Sequence, residues 1–116
     1  MTRAIYLASP YSHPRADVRH QRWMLACRAA AYLMREGHIV FSPIAHSHSV
    51  EIHGFDKPQS GDFWMAQDLP LLSRCQELMI FMLPGFIESA GIKKEKAFAI
   101  EQGIPISYLA PEEVGL

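Results

Sequence analysis

Glu77-Leu78-Met79-Ile80-Phe81-Met82-Leu83 is apolar at every position after the first, and it runs directly into Pro84-Gly85-Phe86-Ile87-Glu88-Ser89-Ala90-Gly91. A run without polar alternation marks a parallel strand buried on both faces, so this strand is central in its sheet. The segment after it is a strand-end loop. Ile92 to Gln102 then reads as a helix stopped by Gly103, and Ile104 to Leu109 as a closing strand. Toward the N-terminus, Ala4-Ile5-Tyr6-Leu7-Ala8 is a second short apolar run, ended by the turn-forming Ser9-Pro10-Tyr11-Ser12-His13-Pro14. Asp17 to Glu36 carries Trp23, Ala26, Ala30, Leu33 and Met34 at helical spacing and stops at Gly37, a residue suited to a left-handed cap. His38 to Ser42 reads as a strand ended by Pro43. Ile44 to Gly61 reads as a long polar loop, and Asp62 to Arg74 as a helical segment that Pro70 kinks or restarts. Pro111 to Leu116 reads as a tail or a short docking segment. The order βαβαβαβ predicts a small doubly wound α/β domain spanning residues 1–116, with four to five parallel strands and helices on both faces.

The chain of 116 residues has 11 Lys and Arg against 12 Asp and Glu. That balance lacks the basic excess that phosphate contacts along a nucleic-acid polymer require. Cys27 and Cys75 each sit in an apolar stretch and read as reduced core thiols of a cytoplasmic protein. No apolar run approaches the roughly 20 residues of a membrane-spanning helix, and Met1-Thr2-Arg3 leads into no signal-peptide cleavage pattern.

In open α/β sheets ligands bind outside the carboxyl ends of the strands. That rule selects Ser9–His13, Pro43–His53 and Pro84–Gly91. Helices start soon after the first and third, and their N-termini favour an anion such as phosphate. Glu95 lies early in the third helix with Ala99 one turn on. It either points at the sheet near the strand ends or is a solvated carboxylate pairing Lys94 or Lys96. Asp68 is either a cap where the helix restarts at Pro70 or one of two carboxylates around a sugar. Tyr6, the polar-tipped residue of the first strand, is either a core tyrosine or a hydrogen-bond donor to a catalytic carboxylate. His46, His48 and His53 lack a supporting ligand motif, so substrate contact or solvent exposure is favoured over a metal. Met79 and Met82 read as strand core. No cofactor is expected.

Taken together, Ile5-Tyr6-Leu7-Ala8-Ser9-Pro10, then Trp64 and Asp68, then Leu83-Pro84-Gly85-Phe86 with Ser89-Ala90-Gly91 and Glu95, resemble the nucleoside 2-deoxyribosyltransferase superfamily. This superfamily includes the 2′-deoxynucleoside 5′-phosphate N-hydrolases, and the chain looks closest to a small bacterial and phage branch. The resemblance runs from Ile5 to about Pro105. It implies a flavodoxin-like fold, a homodimer or larger homo-oligomer, a small-molecule nucleotide or nucleoside as partner, and cleavage of an N-glycosidic bond. By position Glu95 matches the family's nucleophile, Tyr6 the tyrosine that orients it, and Asp68 the acidic partner. Ser89 matches a serine that binds the 5′-phosphate in the monophosphate hydrolases, where the transferases acting on free nucleosides carry an acidic residue.

On this resemblance the phosphate is expected against the first and third helix N-termini, touching Ser9, Ser12, Ser89 and Gly91, with His13, Arg15 or Arg19 adding charge. The base is expected near Tyr11 or Trp64, with His46 or His48 reading its edge. The first loop, Ser-Pro-Tyr-Ser-His-Pro, differs from the glycine- and arginine-rich loop of the monophosphate hydrolases. Two other readings compete: a phosphoribohydrolase-like enzyme on a similar fold, and a non-catalytic nucleotide-binding module. The first carries more glycines than Pro84 to Glu95 provides, and the second needs no nucleophile.

Overall fold

The computed structural model describes residues 3–116; the reading at Met1 and Thr2 lies outside them. Four parallel strands, β1 (Ala4–Ala8), β2 (Ile39–Phe41), β3 (Glu77–Phe81) and β4 (Ile106–Leu109), form one sheet in the order β2-β1-β3-β4. Tyr6 pairs with Phe41 on one side and Leu78 on the other, which makes β1 and β3 the central strands. This is the flavodoxin-like order, and its topological switch lies between β1 and β3.

Side chains alternate across the sheet, and two cores result. Tyr6, Ala8, Leu78 and Ile80 face one layer, against Leu72 of α3 (Gly61–Leu72) and Ile92 and Ala99 of α4 (Ala90–Gln102). Leu7 and Phe81 face the other, against Ala29, Ala30 and Leu33 of α1 (Ala16–Arg35). Val114, in a short 3-10 helix at Pro111–Val114, packs on this second core, so of the two readings of this segment the docking one holds. Right-handed crossovers explain the division: β1 to β2 and β3 to β4 step in opposite directions, which sends α1 and α4 to opposite faces.

Two expectations need correction. The polar stretch after Pro43 is not a loop but a helix, α2 (Pro43–Gly54). Ser42 caps it by accepting from the Ala45 N–H at 3.2 Å, and Pro43 occupies its first turn, where proline's missing N–H costs nothing. Its buried face consists of Pro43, Ser47, His48 and Glu51, so it carries no apolar stripe. Pro70 does not restart a helix: α3 runs through it and ends two residues later, where Ser73 Oγ donates to the Pro70 carbonyl at 2.6 Å. Asp68 therefore caps nothing.

Candidate active site

Tyr6 sits mid-strand in β1 and points into the α3–α4 layer, where it is wholly buried. Ile92, Glu95 and Ala99 are the buried residues of α4, three and four positions apart, so Glu95 is aimed at the sheet by the same periodicity that buries its neighbours. The Tyr6 hydroxyl donates directly to Glu95 Oε2. Glu95 is 5% exposed, which excludes a solvated ion pair, and Lys94 instead reaches Asp62 at 2.9 Å. Asp68, on α3 one turn before Leu72, is also buried, yet makes no hydrogen bond with any described residue. Asp68 and Glu95 both line a cavity of about 460 Å³ at the carboxyl ends of β1 and β3.

Burial dominates the electrostatics of this pair. Desolvation pushes the Glu95 carboxyl up to about 8, opposed by the Tyr6 hydrogen bond and reinforced by the nearby Asp68 charge. Desolvation alone pushes Asp68 up to about 6. The Tyr6 hydroxyl, buried beside both carboxyls, is held far above its ordinary range and stays protonated. Both carboxyls thus have raised pKa values, one gripped by a phenol and the other without a hydrogen-bond partner among the described residues, an arrangement suited to acid–base chemistry.

The rest of the cavity sets polar groups among an apolar lining that includes Ile44 and Met65. Ser9 Oγ is buried against its wall without a hydrogen-bond partner among the described residues. Ser89 caps α4 by accepting from the Ile92 N–H at 3.2 Å, which leaves its hydroxyl proton free to donate. The Lys93 N–H bonds the Ser89 carbonyl, so the N–H groups of Ala90 and Gly91 are the open donors of that helix end. Gly91 also lines the cavity, though a Cβ there would meet only ordinary contacts, the nearest at 3.6 Å. Ser12, His13 and Arg19 line the first-loop side; Arg15 instead pairs with Asp17 at 2.6 Å. Arg22 ties the two strand-end loops together, donating to the Ser12 carbonyl at 2.9 Å and to the Pro84 carbonyl at 3.4 Å. Gly85 is what lets it do so. Its φ is +98°, and a Cβ would sit 2.7 Å from Arg22 Nη2.

Tyr11 and Trp64 line the cavity as well, but the two histidines expected beside them do not. His46 lies on the exposed side of α2 beside Phe41, because the helix turns it away from the strand ends. His48 is buried behind Tyr11, stacked on Trp23 at 4.8 Å between ring centroids, with Nδ1 2.7 Å from the Tyr11 hydroxyl. Burial pushes its imidazole below the ordinary range, toward the neutral form. Among the described residues, no group of three potential ligands is arranged to hold a metal ion.

Glu51 is the functional candidate that reading Pro43–His53 as a loop obscures. It is 8% exposed and lines the cavity. Its Oε2 accepts from Trp64 Nε1 at 2.8 Å and from the Gln59 backbone N–H at 2.9 Å. The Ser42-Pro43 start signal was present, and once Pro43–Gly54 is wound as a helix, Ser47 and Glu51 fall four apart on one face.

The comparisons agree with this architecture. A 2-deoxyribosyltransferase from Bacillus psychrosaccharolyticus superposes with a TM-score of 0.65 over 93% of this chain and 72% of its own, at 20% identity, and so shares the fold. A search of the curated proteins finds no match. A family model described as a domain of unknown function, DUF1937, matches residues 3–110, and with nearly the whole chain covered, this protein belongs to the DUF1937 family.

Proposed function

We propose that this protein is an N-glycosidase that releases the base from a nucleoside or deoxynucleoside 5′-monophosphate, with sugar transfer when a second base outcompetes water. The observation that carries the proposal is the buried Glu95 carboxyl, held by the Tyr6 hydroxyl and sharing one cavity with the unpartnered Asp68.

In this reading ionised Glu95 attacks the anomeric carbon as the bond to the base nitrogen breaks, and the base leaves with that electron pair. Between about pH 6 and 8 the coupled pair holds one proton, and in the reactive arrangement that proton sits on Asp68, which donates it to the departing base. Tyr6 stabilises the ionised Glu95 by donating to it, and water then attacks the same carbon, with Asp68 accepting its proton and Glu95 released. A low-dielectric site strengthens the attraction between Glu95 and the oxocarbenium-like centre, so the energy spent on burying a carboxylate reappears as transition-state stabilisation.

The phosphate end is assigned to the Ser89 hydroxyl and the open N–H groups of Ala90 and Gly91, with Ser9, Ser12 and the basic His13 and Arg19 alongside. The base end is assigned to Tyr11 and Trp64. Homo-oligomerisation belongs to the same proposal.

A panel of ribo- and deoxyribonucleosides with and without the 5′-phosphate, assayed chromatographically for free base, tests this reading. Release is expected from monophosphates, at least about tenfold faster than from the matching nucleosides, given what charge-assisted hydrogen bonds contribute. No release from any member would refute it.

A further inference from the structure

The Glu51 carboxylate is buried in the cavity wall without a positive partner: none of the ion pairs among the described residues includes it. Its two oxygens are unequally served. Oε2 takes both the Trp64 indole N–H and the Gln59 backbone N–H, which fixes the plane of the group. Oε1 has only the Tyr11 hydroxyl, at 3.4 Å. That hydroxyl has one proton, and a better acceptor lies closer, His48 Nδ1 at 2.7 Å. Burial favours the neutral imidazole, whose tautomer protonated at Nε2 accepts the Tyr11 hydroxyl at Nδ1, and Oε1 is then left without a short donor. A buried carboxylate oxygen in that condition carries a desolvation cost that a ligand N–H or O–H would relieve.

The carboxylate is held between Tyr11, against Oε1, and Trp64, on Oε2, and all three residues line the cavity at the end assigned to the base, so the missing donor is to be sought on the base. We propose that Glu51 is a specificity residue that selects bases bearing an exocyclic amine. This inference rests on the nucleotide N-glycosidase reading for its ligand class. The amine of cytosine or adenine supplies an N–H to Oε1. The corresponding keto base places an oxygen lone pair there, against the carboxylate, and leaves Oε1 unpaired. A site built to bond a substrate N–H discriminates strongly against the analogue that lacks it, more than an apolar pocket discriminates by shape. The Trp64 and Gln59 bonds position the carboxylate for this and keep it from turning to water.

The test is calorimetric binding to the full chain carrying Glu95→Gln, so that turnover does not intrude, with cytidine against uridine monophosphate and adenosine against inosine monophosphate. The amino member of the tighter-binding pair is expected to bind about tenfold or more tightly than its keto partner. Adding Glu51→Gln, which supplies a donor and removes the charge, is expected to bring the two members within about threefold of each other. The ligand side gives an independent arm that needs no Glu51 variant: the N,N-dimethylated amino base, which has no N–H, is expected to bind no better than the keto base.

Equal binding of amino and keto bases, undiminished binding of the dimethylated base, or an equal loss for both members in Glu51→Gln would overturn the assignment; the last outcome would make Glu51 a brace for the 55–60 segment. Base release by the wild-type chain is scored separately. Release without amino preference defeats this inference alone, whereas binding with amino preference but no release defeats the glycosidase reading alone.

Discussion

At the scale of single residues, the Tyr6–Glu95 hydrogen bond has a consequence that an ordinary core contact would lack. It favours the ionised form of Glu95, against the upward push of burial on its pKa. The ascending limb of kcat/KM against pH is therefore expected well above the ordinary carboxylate range, between about 6 and 8, where this coupled pair titrates. Tyr6→Phe removes the opposing bond and is expected to move that limb to higher pH while leaving the fold intact. A limb near the ordinary carboxylate value in the wild type, or one that does not move in Tyr6→Phe, would contradict the assignment. Tyr6 and Glu95 were legible in the sequence as alternatives and no further: an apolar strand with one phenol, and a glutamate in step with Ala99. What spacing does not hold is the 89-residue separation that the β1–β3 pairing closes.

At the scale of elements, the helix N-termini do most to shape the site. Ser89 both caps α4 and lines the cavity with its hydroxyl proton unused, so Ser89→Ala should have two effects. It should lower stability by about 1 kcal/mol, the usual cost of losing a serine cap, seen as a lower urea midpoint. It should also weaken binding of a monophosphate more than of the matching nucleoside. Ser42→Ala at the start of α2 should cost a similar ~1 kcal/mol with no phosphate effect, because Ser42 does not line the cavity. Equal effects of the two substitutions on phosphate binding would separate Ser89 from the phosphate.

The same element explains where sequence reading failed. Strands β1 and β3 and helices α1 and α4 declare themselves through apolar periodicity and glycine stops. Helix α2 buries Ser47, His48 and Glu51 on its inner face, because that face covers the cavity and its backing rather than an apolar core. A helix whose buried side is polar looks like a loop, and His46 and His48 were misplaced with it. The cap signal Ser42-Pro43 was the only trace of it, and polar composition outweighed it.

At the scale of the whole molecule, a domain this small sets two raised carboxyls beside its core. A carboxyl whose folded ionisation lies above its unfolded one contributes stability that is fully present below the unfolded value and is lost as pH rises through the folded one. For Glu95 that interval runs from its ordinary 4.5 to about 8, and for Asp68 from 3.8 to about 6. The protein is thus expected to lose stability between mildly acidic and mildly alkaline pH. Glu95→Gln should flatten that slope, leaving the variant more stable than wild type above pH 8 and close to it near pH 4.5, as read from urea midpoints at both ends. A wild type whose stability is flat across this interval would contradict the buried, coupled state of the pair. Such a cost is what a fold pays when a reactive group is held in its interior. Topology made the location of this site predictable, since the β1–β3 switch places it before any residue is assigned a role.

The central claim is that Glu95 attacks the sugar. The direct measurement is free-base release from nucleoside monophosphates by the wild type and by Glu95→Gln, with both shown folded and nucleotide-bound. Release by the wild type is expected, with a loss of about a thousandfold or more in the variant. Release by Glu95→Gln at the wild-type rate would contradict the claim.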